Sequence, residues 1–122
     1  MSSLLPGVVA NIWSYASPAD IEDTATDEVK AAKSGYRHHV GSVQISNSET
    51  DVGTYVSVLS GSTLLWIGFV NPFVVAAPGS SHIAAAFNPP LMGGIGEAIN
   101  VACTTTSAKV RACVQGFTTK AS

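Results

Sequence analysis

Apolar and polar residues of this 122-residue chain alternate with a period of two over most of its length, which is the spacing of β-strands. In residues 52–59, Val56 and Val58 belong to one face of such a strand and Tyr55 to the other. Ser-Gly-Ser at 60–62 predicts a tight turn into a second strand over 63–70, so the two strands should form a hairpin. Asn-Pro at 71–72 should end that strand, because proline cannot donate to a strand ladder.

Further strands are predicted on both sides of this hairpin. One is centred on Val43 and Ile45, another covers 81–87, and 97–104 with 109–118 should form a final hairpin. Residues 88–94, which contain two prolines and two glycines, read as a loop. Residues 17–33 begin like a helix but lack an apolar stripe, so we expect a loop with a strand or a single turn. Seven or so short strands indicate an antiparallel β-sandwich or barrel.

The N-terminal residues form an apolar, aromatic segment ahead of the first convincing strand. We therefore divide the chain into an arm over residues 1–15 and a single β-sandwich domain over 16–122. Trp13 either packs on its own sandwich or anchors the arm on a neighbour, and Trp66 is either a core residue or an anchor. The predicted interface residues are Leu4, Leu5, Trp13, Tyr15 and Trp66.

The two cysteines test the assignment of faces. Cys103 shares a face with Val101. Cys113 alternates with the apolar set of the last strand, which is Val110, Ala112 and Val114. If both apolar sets face the core, Cys113 points outward, and thiols on opposite faces cannot approach closely enough for a disulfide. We predict two free thiols, as suits synthesis in a reducing cytoplasm.

Charge is scarce and unevenly placed. Charged residues make up 11% of the chain, against about 25% in an ordinary soluble domain. Residues 52–96 contain no Asp, Glu, Lys or Arg, so this segment either has a neutral polar surface or is covered by another protein or a copy of itself. The net charge of −2 argues against nucleic-acid binding, and no apolar run is long enough to span a membrane. No signal peptide is visible at the start.

No catalytic, metal-binding or cofactor-binding motif emerges. The chain has no Gly-x-Ser-x-Gly, Cys-x-x-Cys, His-Glu-x-x-His or Walker-type sequence. His38 and His39 are adjacent and would point to opposite faces of a strand, so they cannot chelate one metal together. The acidic residues between 20 and 28 lack the order of a calcium loop. We expect neither enzymatic activity nor a cofactor.

Several short motifs occur in the order found in one known kind of module. They are Trp-Ser-Tyr-Ala at 13–16, Lys-Ala-Ala at 30–32, Gly-Tyr-Arg at 35–37, Val-Gln-Ile-Ser-Asn at 43–47, Val-Ser-Val-Leu-Ser-Gly-Ser at 56–62, Trp66, Phe-Asn-Pro-Pro-Leu at 87–91, Ala-Ile-Asn-Val at 98–101 and Val-Gln-Gly-Phe-Thr at 114–118. Over about residues 11–119 the chain resembles a small β-sandwich virion module of tailed bacteriophages. The acidic segment at 20–28 and the bulky strand at 65–67 depart from that pattern.

The resemblance implies a jelly-roll-like fold and a capsid decoration, or cement, protein. Such a protein would bind the outer capsid surface of the virion and stabilise contacts between subunits of the major capsid protein. It would also contact copies of itself as a dimer or trimer. Two alternatives remain: a receptor-binding tail or head-fibre protein that stacks aromatic residues on sugars, and a cellular carbohydrate-binding β-sandwich, which rests on fold class alone.

Overall fold

The computed structural model describes residues 11–121, with Pro78 in its backbone only, and these residues form two antiparallel β-sheets. The strands are β1 (Ile12–Ala16), β2 (Ile21–Glu22), β3 (Thr26–Lys30), β4 (Tyr36–Asn47), β5 (Thr54–Ser60), β6 (Thr63–Val70), β7 (His82–Ile95), β8 (Ile99–Cys103) and β9 (Lys109–Lys120). One 3-10 turn, Pro78–Ser81, is the helical element of the described chain. The prediction of an all-β sandwich is confirmed.

The strands pair as a nested series. Sheet A has the order β1-β9-β4-β7, with β2 also on β9, and sheet B has the order β3-β8-β5-β6. The innermost pair is β5 with β6, which confirms the predicted hairpin; around it lie β4 with β7, then β3 with β8, then β1 and β2 with β9. The first and last described strands are therefore neighbours in sheet A.

The predicted final hairpin over 97–118 is wrong, although both of its strands exist. β8 pairs with β3 and β5 in sheet B, whereas β9 pairs with β1, β2 and β4 in sheet A. The connection crosses between the sheets, with Ser107 in the left-handed region at φ 72° and Ala108 fully buried. A strand facing another across the core alternates in the same way as a strand hydrogen-bonded beside it, so the pattern does not separate the two arrangements.

The predicted loop over 88–94 is also wrong, because β7 continues through it. Ser42 pairs with Ala86 and Val40 with Leu91, so residues 87–90 lie opposite Gly41 alone. Pro89 and Pro90 fall inside this bulge, where their missing N–H groups cost no ladder bond. The strand therefore resumes after the prolines instead of ending at them.

The core lies between the inner faces of the two sheets. Alternate residues of β9 are buried from Val110 to Thr118, and they face buried residues of β5 and β8 such as Val58 and Val101. Cys103 is buried and Cys113 is exposed, and both are free thiols. The prediction made from their opposite faces is confirmed.

The N-terminal part of the described chain belongs to sheet A. β1 pairs with β9 from Ile12 opposite Phe117 to Ala16 opposite Cys113. Residues 11–15, which the predicted division assigns to an arm, are therefore part of the sandwich, and the remaining arm residues, 1–10, lie outside the described residues. Residues 17–33 contain two short strands with connecting turns, where a loop with a strand or a single turn was expected.

Candidate docking surface

Trp13 packs inside its own sandwich. Its side chain is 9% exposed, its Nε1–H donates to Thr118 Oγ1 at 3.1 Å, and its ring meets the His38 ring edge-on. His38 is itself buried, with Nδ1 2.7 Å from Thr118 Oγ1 and Nε2 2.8 Å from the Ala31 carbonyl. Of the two placements considered for Trp13, packing on its own sandwich is the one found, and little of the ring is exposed to a partner. Leu4 and Leu5 lie outside the described residues.

Tyr15 joins the two sheets at one edge of the sandwich. Its half-buried side chain donates a hydrogen bond from the hydroxyl group to Asp27 Oδ2 at 3.1 Å, which connects β1 of sheet A with β3 of sheet B. Burial raises the pKa of Tyr15, and the hydrogen bond and negative charge of Asp27 raise it further. The phenol therefore stays neutral at ordinary pH and acts as a structural donor.

Trp66 closes the opposite edge. It is half-buried on the inner side of β6, where Val58 is its cross-strand neighbour, and its ring packs on Phe87 of β7 at 6.0 Å between centroids. A Cβ atom on Gly68 would lie 2.5 Å from the Trp66 ring, so the glycine leaves the space that the indole occupies. Trp13 and Tyr15 lie on β1 and Trp66 on β6, so the structure does not bring these three predicted interface residues into one site.

A cluster of exposed apolar side chains lies instead on the outer face of sheet B. Tyr55, Leu64, Ile67 and Phe69 are 52%, 53%, 47% and 45% exposed, and we call these four residues the β5–β6 face. The register places Tyr55 opposite Phe69, with their rings 5.0 Å apart in an edge-to-face arrangement. Sequence reasoning put Tyr55 on this side of its strand but did not single out the four as a set.

The β5–β6 face carries no charge. The acidic side chain of Glu97 is held at the β5–β6 turn, where Ser60 Oγ donates to its Oε1 at 2.8 Å and accepts from the Gly94 N–H. Charged side chains of sheet B lie on the far edge strand β3, which carries Asp27 and Glu28. The outer face of sheet B is thus apolar on the β5–β6 side and carries the exposed carboxylate of Glu28 on the β3 side.

The centre of the outer face of sheet A is different: it is made of small and uncharged polar side chains, with Ile12, Phe117 and Met92 on one side of it and Arg111 on the other. Strand register aligns them in two rows, one of Ala16, Cys113, Gln44 and Ala84, the other of Ser14, Gln115, Ser42 and Ala86. A shallow groove of about 210 Å³ is lined by Ser42, Gln44, Cys113 and Gln115. The groove offers amide and hydroxyl groups without an aromatic ring to stack on a sugar.

The described residues offer no evident catalytic or metal centre. Among residues 11–121, no three His, Cys, Asp or Glu side chains are placed to hold a metal ion. A cavity of about 120 Å³ lies near Trp13, His38 and Thr118 and is flanked by Lys30 and Lys33, but both ring nitrogens of His38 are already hydrogen-bonded. No helix in this part of the chain is long and apolar enough to cross a membrane.

Comparison with known proteins gives similarity in structure only. No family model and no curated protein sequence matches the chain. A chain of the acid-stable capsid of Helicobacter pylori bacteriophage KHP30 superposes with a TM-score of 0.55 at 13% identity, over 88% of this chain and 87% of that one. This likeness shows a shared fold along nearly the whole of both chains.

Two further structures are less similar. A chain of the cyanophage Pam1 capsid gives a TM-score of 0.41 at 14% identity, over 88% of this chain and 81% of that one. The insecticidal δ-endotoxin Cry8Ea1 of Bacillus thuringiensis gives 0.44 at 12% identity, and the match covers 85% of this chain but 19% of the toxin.

Proposed function

We propose that this protein is a structural component of a phage virion, and specifically a decoration, or cement, protein on the outer capsid surface. The observation that carries the proposal is the fold shared with a chain of the KHP30 capsid over 88% of this chain and 87% of that one. Synthesis in the host cytoplasm agrees with the two free thiols. In this role the protein adds contacts between capsid subunits and performs no chemistry.

We also infer that the sandwich is a jelly roll. The support is the nesting of its strand pairs, β5 with β6, β4 with β7, β3 with β8, and β1 and β2 with β9. A long antiparallel hairpin wound into two packed sheets produces such a series. This winding leaves both outer faces of the sandwich open to partners.

The β5–β6 face is the surface we assign to the major capsid protein. Fully burying a large apolar side chain contributes about 1.5–3 kcal/mol, so each of its four half-exposed residues could contribute roughly half of that. The absence of charge means that burial on a shell would leave no unpaired ion behind. Small gains of this kind become effective when they are repeated at many equivalent positions of a capsid.

The copy number per particle tests the proposed function. Virions of the phage that encodes the chain would be purified and the band intensities on a denaturing gel compared with that of the major capsid protein. A decoration protein should be present in hundreds of copies per particle. A few copies per particle would contradict decoration and favour a fibre, whereas absence from the virion would contradict both.

A matched pair of variants tests the surface. Phe69→Ser removes an aromatic side chain from the β5–β6 face, and Ile95→Ser removes an equally exposed apolar side chain from β7 of the other sheet. Binding to shells that lack the protein should weaken for Phe69→Ser and stay within about twofold of wild type for Ile95→Ser. Equal binding of all three proteins would show that another surface attaches to the shell.

The second candidate is a receptor-binding tail or head-fibre module. The groove on sheet A supports it, because Gln44 and Gln115 present amides and Ser42 a hydroxyl to a polar ligand. Specific binding on a glycan array, abolished by Gln44→Ala, would favour this function. A blank array together with a high copy number would favour decoration.

A further inference from the structure

The two sheets have four edges, and three of them are protected against pairing with another chain. β3 carries Asp27, Glu28 and Lys30, and charges on an edge disfavour pairing. β7 carries Pro89 and Pro90 in its bulge. The remaining edge of sheet A is divided into β1 and β2, which are five and two residues long.

The fourth edge, β6, lacks these protections. Its eight residues, Thr63–Val70, include no charged residue and no proline. Within the described part of the chain, β6 pairs with β5 alone, so its other side presents backbone N–H and C=O groups with no strand beside them. A register shift at Leu65 bends the strand but leaves 66–70 as an unbroken run. An exposed, uncharged apolar edge is a template for strand addition.

We propose that β6 pairs antiparallel with β6 of a second copy about a two-fold axis, which joins two four-stranded B sheets into one continuous sheet. A two-fold contact brings a surface against itself, and an uncharged strand meets no like charge in doing so. An axis at Gly68 would place Ile67 beside Phe69 of the second copy, with no side chain at the point of closest approach. The inference names a partner within the proposed function but does not require a capsid.

The size of the contact sets its expected strength. An aromatic residue buries about 150–250 Å² when fully covered, so the half-exposed edge side chains Ile67 and Phe69 offer roughly 200 Å² per copy. Two copies with their strand edges then stay below the roughly 1,200 Å² in total at which specific, stable interfaces begin. We therefore expect a dimer that forms at micromolar concentration and dissociates on dilution.

Sedimentation equilibrium of the full chain from about 1 to 500 μM tests the pairing, because weak interfaces dissociate in that range. The wild-type mass should rise to twice the chain mass, whereas Ile67→Lys should stay monomeric. Ile95→Lys, the same substitution at an equally exposed site on β7, should dimerise like wild type. A wild-type monomer throughout the range, or equal dimerisation of both variants, would overturn the proposal. Should Ile67→Lys fail to fold by circular dichroism, Phe69→Lys replaces it.

Hydrogen exchange locates the contact. In the concentrated sample, amide exchange should slow in β6 and stay unchanged in β7. Protection elsewhere, or loss of the dimer on removal of residues 1–10, would assign the contact to another segment and overturn the pairing. Shell binding by the wild-type protein separates the outcomes: a wild-type monomer that binds shells contradicts the pairing and leaves decoration standing, and a dimer that does not bind shells leaves the pairing standing without the function.

Discussion

Thr118 connects two buried side chains through one hydroxyl group. Its Oγ1 accepts the indole N–H of Trp13 at 3.1 Å, which leaves its own hydrogen free for His38 Nδ1 at 2.7 Å. The hydrogen of neutral His38 is then assigned to Nε2, where it is donated to the Ala31 carbonyl. Each side-chain polar atom of this hydrogen-bonded network has a partner, so Trp13, His38 and Thr118 hold β1, β4 and β9 in one arrangement.

Replacing Trp13 tests this network. Trp13→Ala should lower the free energy of unfolding by about 3–5 kcal/mol, because it leaves a large cavity. Trp13→Phe should cost less, since most of the ring volume remains while Thr118 loses one donor. Urea denaturation followed by circular dichroism measures both changes. A loss below about 1 kcal/mol for Trp13→Ala would indicate that the indole is not part of the core and is available to a partner.

His39 should make stability depend on pH. Burial lowers its pKa, and the charge of Arg37 and of the protonated form of His38 lowers it further. The unfolded state then takes up a proton first as the pH falls, so stability should decrease below about pH 6.5 and level off once the folded pKa is passed. His39→Gln should flatten this part of the profile in urea midpoints measured at about pH 7.5 and pH 5. An unchanged slope would exclude His39 as its source.

At the scale of elements, the sequence predicted which residues form strands better than it predicted which strands pair with each other. Alternation identified β5, β6 and β9 and the opposite faces of Cys103 and Cys113, because a half-buried strand fixes which side chains point inward. It could not assign β8 to sheet B and β9 to sheet A, since partners across the core and partners in a ladder impose the same period. Prolines in a bulge likewise look like prolines in a loop.

The candidate surface was harder to predict than the core. Alternation divides β6 into two faces, but both faces carry large apolar residues, Trp66 on the inner side and Ile67 and Phe69 on the outer side. Only the placement of the second sheet decides which set is covered. The uncharged segment at 52–96 was the available signal, and it marked a region without identifying its exposed residues.

Removing residues 1–10 separates the arm from the sandwich. Strand pairing in the described chain begins at Ile12, so the truncated protein should keep the wild-type circular-dichroism spectrum and melt within a few degrees of the full chain. If the arm contacts a neighbouring subunit, as the predicted roles of Leu4 and Leu5 require, shell binding should weaken at least tenfold. Unfolding of the truncated chain would place the arm in the core, and undiminished binding would exclude it as a contact.

At the scale of the whole molecule, charge is unevenly distributed over the surface. The acidic residues at 20–28 lie at and near β2 and β3, with Arg111–Asp20 as an ion pair of the described residues, while the β5–β6 face is uncharged. Shell binding should therefore change less than threefold between about 50 and 500 mM salt, because salt screens ion pairs but not apolar burial. Release by a few hundred millimolar salt would point to the acidic side instead.

The central position of β9 in sheet A has a consequence for synthesis on the ribosome. β9 lies between β1 and β4, yet every other described strand is translated before it. Ile12 can pair only after Phe117 has been translated. The pairing of β1 with β9 therefore joins residues that are far apart in the sequence. Such non-local contacts slow folding, because the entropy of a long loop is lost before the pairing is gained. Sheet A therefore assembles only once β9 has been translated, and the uncharged β5–β6 hairpin, which is complete much earlier, is the segment that a nascent chain exposes to chaperones.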